Sequence, residues 1–134
     1  MKKELEVYQL HCSSKKKYRM YKGTIVIDKL FQQVSFSYIE EGTKAKVYIE
    51  ANKDTLNIKR EAEMTTTLIF KNSLLTLGNV NNEFGDLEIF IFTHKYHCTE
   101  NIIVVEYDIL NSKDTNDVNE TYRIMWKIKE TNDE

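Results

Sequence analysis

The sequence lacks several features that mark particular classes of protein. Among its 134 residues there is no proline, and there are only four glycines and two cysteines. Two cysteines are too few for the disulfide framework of a small secreted domain, so we expect both thiols to be reduced. With so few glycines, the chain has no glycine-rich loop of the kind that cradles phosphate groups.

The sequence also has no long apolar run. No segment approaches the roughly 20 apolar residues of a membrane-spanning helix, which predicts that the protein has no membrane partner. The N-terminal stretch MKKELEVYQL has glutamates where a signal peptide would carry its apolar core. We therefore expect a cytoplasmic protein.

Charge of neither sign dominates. The net charge is -2 and the isoelectric point is near 6.0, so no basic field attracts nucleic acid, and we predict no nucleic-acid partner. A hydrophobic fraction of 41% is sufficient for a folded core. The length is that of one domain, which we assign to residues 1–134.

Apolar residues recur at every second position through most of the chain. In TYRIMWKIK, one parity holds Tyr122, Ile124, Trp126 and Ile128, and NIIVVEYDIL and KAKVYIEA alternate in the same way. A period of two is typical of a strand with one buried and one solvated face. We predict strands near 3–12, 16–28, 32–40, 43–51, 54–60, 63–70, 73–79, 84–97, 101–111 and 119–130.

Short strands joined by tight links favour an all-β antiparallel sheet, mostly an up-and-down meander. So many strands in one small domain predict a sheet that closes or nearly closes, because open edges promote aggregation. The expected fold is therefore an antiparallel barrel of about eight to ten strands.

Several stretches resemble the YwiB-like family of bacterial proteins. They are YKGTIVIDKLFQQVSFSYIEEGTKAKVYIEANKDTLNIKRE, EFGDLEIFIFT, and VVEYDIL followed by a polar loop and TYRIMWKI. The most specific pieces are SYIE at 37–40, Arg60 at a strand end, FGDL at 84–87 and Tyr107-Asp108. The resemblance implies a calycin-like or lipocalin-like β-barrel of unknown function, and it supplies no catalytic or binding residue.

The histidines and cysteines fall in two clusters, His11-Cys12 and the stretch FTHKYHCTE with His94, His97 and Cys98. On a regular strand His94 and His97 point to opposite faces, and adjacent residues diverge. A zinc site needs about four converging ligands, and a cysteine nucleophile needs a histidine in contact with it. We therefore predict no metal, no cofactor and no catalytic site, and expect a protein that is not an enzyme.

A second group of polar residues continues apolar rows that face inwards. Glu40 follows the row of Tyr38, Arg60 follows the row of Ile58, and Tyr107 lies on another inward parity. We interpret Tyr38, Glu40, Arg60 and Tyr107 as candidates for binding a small anionic or amphipathic ligand in the lumen. The alternative is a filled barrel in which Glu40 and Arg60 form a structural ion pair. An open cavity reaching Arg60 would favour the ligand.

A third group is apolar and predicted to face outwards. Glu88, Phe90, Phe92, His94 and Tyr96 share one parity. The charge of Glu88 indicates the solvated face, so Phe90, Phe92 and Tyr96 would form an exposed aromatic stripe. Contiguous apolar surface commonly marks an interface, which predicts a homodimer. The second functional hypothesis is therefore a structural or protein-interaction module that acts through this outer face.

Overall fold

The computed structural model describes residues 1–131, which form eleven strands in a single antiparallel sheet. The strands are β1 (Lys2–His11), β2 (Lys16–Val26), β3 (Asp28–Leu30), β4 (Gln33–Ile39), β5 (Lys46–Ala51), β6 (Thr55–Glu61), β7 (Thr65–Lys71), β8 (Leu75–Asn82), β9 (Gly85–Cys98), β10 (Ile102–Leu110) and β11 (Val118–Glu130). Within the described residues no helix has the length and apolarity of a membrane span.

Neighbouring strands along the chain pair with each other from β3 to β11, and β1 joins β11 to β2. The two ends of this curled sheet approach each other where β2 meets β4. There the rings of Tyr21 and Tyr38 are 5.2 Å apart, and the Glu41 N–H donates to the Met20 carbonyl at 3.0 Å. The sheet is therefore a nearly closed barrel with a seam between β2 and β4, which confirms the predicted fold class.

The interior follows the alternation seen in the sequence. Val7, Trp126 and Ile103 lie side by side on β1, β11 and β10, and none is more than 1% exposed. These inward-facing apolar side chains thus meet in one layer across neighbouring strands. Removing such side chains from water is the main favourable contribution to folding.

The strand count exceeds the predicted eight to ten because the segment 16–28 is divided at Ile27. Up to Val26 the chain pairs with β1, whereas Asp28 pairs with Ser35 of β4. Between them the Ile27 N–H donates to the Met1 carbonyl at 2.9 Å. The chain leaves one end of the sheet at this residue and joins the other, which makes β3 a separate short strand.

A β-bulge in β9 changes which residues face inwards. Glu106 pairs with Lys95 and the next residue, Tyr107, pairs with Thr93, so His94 is left opposite no residue of β10. One extra residue reverses the alternation beyond it. The predicted outward position of Tyr96 is wrong for this reason: Tyr96 pairs with Val105 and packs against the core.

The same bulge corrects the predicted orientation of the two histidines in FTHKYHCTE. His94 Nε2 lies 2.6 Å from Asp108 Oδ2, and His97 pairs with Val104. Asp108 and Val104 share the outer face of β10, so both histidines lie on the outside of the barrel rather than on opposite faces.

Candidate functional site

Two of the candidate residues are brought together by the register of three strands. Val47 of β5 pairs with Tyr38 on one side and with Arg60 on the other. Arg60 in turn pairs with Thr66 of β7. Directly opposed residues on one face of a sheet have Cβ atoms about 5 Å apart. Tyr38, Val47, Arg60 and Thr66 therefore form one inward row.

The turn between β4 and β5 brings the third candidate, Glu40, to this row. The Lys44 N–H donates to the Glu40 carbonyl at 3.1 Å, and Lys44 has a φ of 63°, which closes the turn. The Thr43 hydroxyl donates to Glu40 Oε1 at 2.6 Å. The turn thus fixes a carboxylate that is only 6% exposed at the end of β4.

Arg60 pairs with this carboxylate. Arg60 Nε and Nη2 both donate to Glu40 Oε1, at 3.1 Å and 3.0 Å. Arg60 Nη1 and Glu40 Oε2 make no side-chain hydrogen bond to another described residue. The two charges therefore neutralise each other, while Arg60 Nη1 remains available as a donor and Glu40 Oε2 as an acceptor.

The four candidates line a single cavity of about 240 Å³ inside the barrel. Its apolar wall consists mainly of Val7, Val47, Ile58, Leu68, Ile124 and Trp126. Trp126 was not among the sequence candidates, although its inward parity is evident in TYRIMWKIK. Its indole N–H donates to the Tyr38 hydroxyl at 3.0 Å, which joins β11 to β4 across the lumen.

Tyr107 supplies a further hydroxyl to this cavity. Its ring packs against Phe70 at 4.7 Å and against Tyr122 at 5.8 Å. The residue is 5% exposed, and its hydroxyl makes no hydrogen bond to another described residue. A hydroxyl that lines a cavity and has no partner in the chain is a natural contact for a bound molecule or for water.

A second cavity, of about 430 Å³, lies at the mouth of the barrel. It shares Gln9 and Met20 with the inner cavity, and His11 is part of its lining. His11 Nε2 lies 2.5 Å from Glu120 Oε2, and Nδ1 lies 2.6 Å from Ser14 Oγ. Sequence reasoning missed these two partners of His11 because the alternation does not indicate which residues meet at a hairpin end.

Cys98 does not meet His11, the histidine of the other cluster. Cys98 pairs with Ile103, and the same row of residues continues through Trp126 to Val7 of β1. Val7 lies four positions along β1 from His11, which corresponds to about 13 Å. Burial raises the pKa of both the Cys12 and the Cys98 thiols, which lowers the fraction of reactive thiolate. Within residues 1–131 no group of three or more His, Cys, Asp or Glu residues is arranged to hold a metal ion.

Comparison with known proteins identifies the family to which the chain belongs. Residues 9–124 match the family described as a domain of unknown function, DUF1934. The chain belongs to this family. The crystal structure of the YwiB protein from Bacillus subtilis is 16% identical, with a TM-score of 0.74 over 97% of this chain and 92% of that chain. No curated protein matches the sequence.

Membership in DUF1934 and the structural likeness to YwiB confirm the resemblance seen in the sequence. At 16% identity the likeness concerns the fold alone. The family description names no activity. The function of this DUF1934 barrel must therefore be argued from its own residues.

The outer candidates Phe90 and Phe92 lie on a different surface of the barrel. Phe90 pairs with Leu77 of β8 and Leu110 of β10, and Phe92 pairs with Leu75 of β8. Both phenylalanines are half-buried, whereas Leu75 is 39% and Leu77 is 50% exposed. Leu75 and Leu77 could not be predicted from the sequence, because alternation alone does not show which face of β8 lies beside the phenylalanines.

The buried tyrosines predict how stability depends on pH. Burial raises the pKa of the Tyr38, Tyr96 and Tyr107 phenols above the ordinary value of 10.0. Above about pH 10 the unfolded chain releases these protons and the folded chain retains them, so the free energy of unfolding should fall as pH rises. We expect ultraviolet difference spectra to show these phenols ionising only together with unfolding, measured by circular dichroism. Ionisation of all eight tyrosines in the folded protein would contradict this prediction.

Proposed function

We propose that this protein is a non-enzymatic cytoplasmic binding protein that holds a small amphipathic molecule in the barrel lumen. The observation that carries the proposal is the inner cavity, in which Tyr38, Glu40, Arg60 and Tyr107 converge at an apolar wall. Ligand sites are typically concave, mostly apolar and furnished with a few polar groups that orient the ligand.

The volume of the inner cavity limits the size of the ligand. Water occupies roughly 30 Å³ per molecule in the liquid, so the 240 Å³ cavity corresponds to about eight waters. This is below the volume of pockets that hold drug-sized molecules. We therefore propose a ligand with a short apolar body and one polar group.

The charge balance favours a ligand whose polar group is uncharged. Glu40 already neutralises Arg60 through two donors on one oxygen. An anion at Arg60 Nη1 would be close to the buried Glu40 carboxylate, and like charges in a desolvated site repel. An uncharged hydroxyl or amide can instead accept from Arg60 Nη1 and donate to Glu40 Oε2. Of the two ligand classes that the sequence left open, this supports the amphipathic one.

The lining also supports binding rather than catalysis. It includes no His, Cys, Ser or Lys side chain among the described residues. Glu40, Arg60, Tyr38 and Trp126 are bonded within the chain, which suits a preorganised recognition site. The two free cysteines support the proposed location, because thiols remain reduced in the cytoplasm.

A titration with two matched probes tests the proposal. Trp126 is the only tryptophan in the chain and lines the inner cavity, so its fluorescence should report on an occupant directly. We expect hexanol to bind with a Kd on the order of 1 mM, from burial of its methylene groups less the cost of immobilisation. Hexanoate at neutral pH should bind about tenfold more weakly, because its carboxylate would be desolvated beside Glu40.

The two probes separate the parts of the proposal. If neither changes the fluorescence of Trp126, the lumen is not a ligand site, and the interpretation of Glu40 and Arg60 as a purely structural ion pair stands. If hexanoate binds more tightly than hexanol, the lumen is a ligand site but the preference for an uncharged polar group is wrong.

A further inference from the structure

The outer wall of the barrel carries an apolar patch that the lumen proposal does not use. We define the outer patch by Leu75 and Leu77 of β8 and by Phe90 and Phe92 of β9; Leu110 of β10, beside Phe90, is buried. These residues are direct cross-strand neighbours: Leu75 faces Phe92, and Phe90 lies between Leu77 and Leu110. Leu75 and Leu77 remain substantially exposed. Contiguous apolar surface of this kind on a folded domain marks an interface.

The exposed charged side chains differ between the two ends of the outer patch. Along β9, exposed Glu88 precedes Phe90, whereas exposed His94 and Lys95 follow Phe92. Glu88 lies beside the uncharged Asn79, so its charge has no opposite partner across the strand. His94 Nε2 faces Asp108, and Lys95 lies across from Glu106 of β10. One end of the patch therefore exposes Glu88, and the other exposes Lys95 and His94, with the less exposed Glu106 and Asp108 beside them.

This arrangement is self-complementary under a two-fold rotation. With the axis at Ile91, Phe90 of one copy faces Phe92 of the other, because the two lie symmetrically about Ile91 in the sequence. The same rotation brings Glu88 opposite the partner's Lys95 and the partner's His94. Isologous contacts of this kind are the commonest way in which identical chains associate.

We propose that a second copy of this chain covers the outer patch, in a two-fold dimer whose β9 strands run antiparallel to each other. The burial of Leu75, Leu77, Phe90 and Phe92 supplies the apolar contribution to association. The Glu88–Lys95 contacts at both ends set the register and exclude a parallel arrangement, which would bring like charges together.

Sedimentation equilibrium of the full chain tests the dimer. We expect a mass twice the 15.9 kDa of one chain at micromolar concentration, with dissociation on dilution. Leu77→Lys should raise the Kd of the dimer about tenfold or more, because it brings a charge into the apolar centre. Leu30→Lys is the matched control: Leu30 is 70% exposed on β3, away from the patch, and its substitution should leave the mass unchanged.

A charge exchange tests the antiparallel register. Glu88→Lys alone should weaken the dimer, and Glu88→Lys combined with Lys95→Glu should restore it, because the rotation again pairs opposite charges. A monomer at all concentrations would overturn the proposal, as would a dimer that Leu77→Lys does not weaken. Failure of the combined variant to recover while Leu77→Lys dissociates the dimer would overturn the antiparallel register.

Discussion

Replacing Arg60 by methionine should lower the free energy of unfolding by about 2 kcal/mol. The substitution removes both donors to Glu40 Oε1 and leaves the Thr43 hydroxyl as the remaining side-chain donor to this carboxylate. Glu40 is 6% exposed, so water does not fully replace the lost partner. The loss stays below the roughly 3–5 kcal/mol of a fully buried pair, because the Arg60 side chain is 36% exposed.

A neighbouring ion pair provides the control for this measurement. Arg19 and Glu41 form a contact of 3.3 Å in which both side chains are exposed, at 49% and 41%. Arg19→Met should therefore cost less than about 0.5 kcal/mol. Chemical denaturation of the two variants gives the comparison directly. Equal losses for Arg60→Met and Arg19→Met would show that the Glu40 site is solvated.

A double variant distinguishes the cost of leaving the Glu40 carboxylate unpaired from the cost of lost packing. Glu40→Gln combined with Arg60→Met removes both charges and keeps an amide that can accept from Thr43. Because no unpaired buried charge remains, the double variant should be more stable than Arg60→Met alone by about 1 kcal/mol or more. If the double variant is less stable than Arg60→Met, the cost lies in lost packing rather than in the isolated carboxylate.

The parts of this structure that the sequence predicts are those governed by alternation. A period of two assigns each side chain to the inside or outside of a strand, which is why Tyr38, Arg60, Tyr107 and Trp126 could all be placed inwards. Their convergence also depends on register. Register is set by turns such as 40–45, in which the positive φ falls at Lys44 rather than at the glycine of the turn, Gly42.

The error at Tyr96 has the same physical origin. A single bulged residue, His94, reverses the alternation of β9, and neither glycine nor proline marks its position. The Tyr96 hydroxyl consequently donates to the Asn52 and Thr55 carbonyls across the barrel instead of facing solvent. The predicted aromatic stripe along β9 is therefore replaced by an outer patch that extends onto β8. This patch contains Leu75 and Leu77 and does not contain Tyr96.

Filling the inner cavity should have the largest effect on ligand binding. Ile124 lines the cavity and lies beside Val105 of β10 and Gln9 of β1. Phenylalanine at this position would occupy space that the ligand needs, and empty volume reduces the usual cost of overpacking. Ile124→Phe should therefore weaken the binding of hexanol at least tenfold, equivalent to about 1.4 kcal/mol, with little loss of stability.

The same substitution on the outer face is the matched control. Ile102 of β10 pairs with Lys127 and is half-buried on the outside of the barrel. Ile102→Phe adds the same volume without entering the lumen, so the Kd for hexanol should stay close to that of the unmodified protein. Unchanged circular dichroism in both variants establishes that they share the fold.

The hexanol titration of these three proteins, followed by the fluorescence of Trp126, is the most direct test of an open lumen that binds a ligand. The predicted result is saturable binding to the unmodified protein and to Ile102→Phe, and at least tenfold weaker binding to Ile124→Phe. Equal affinity of all three proteins would place hexanol outside the lumen and contradict the proposed function.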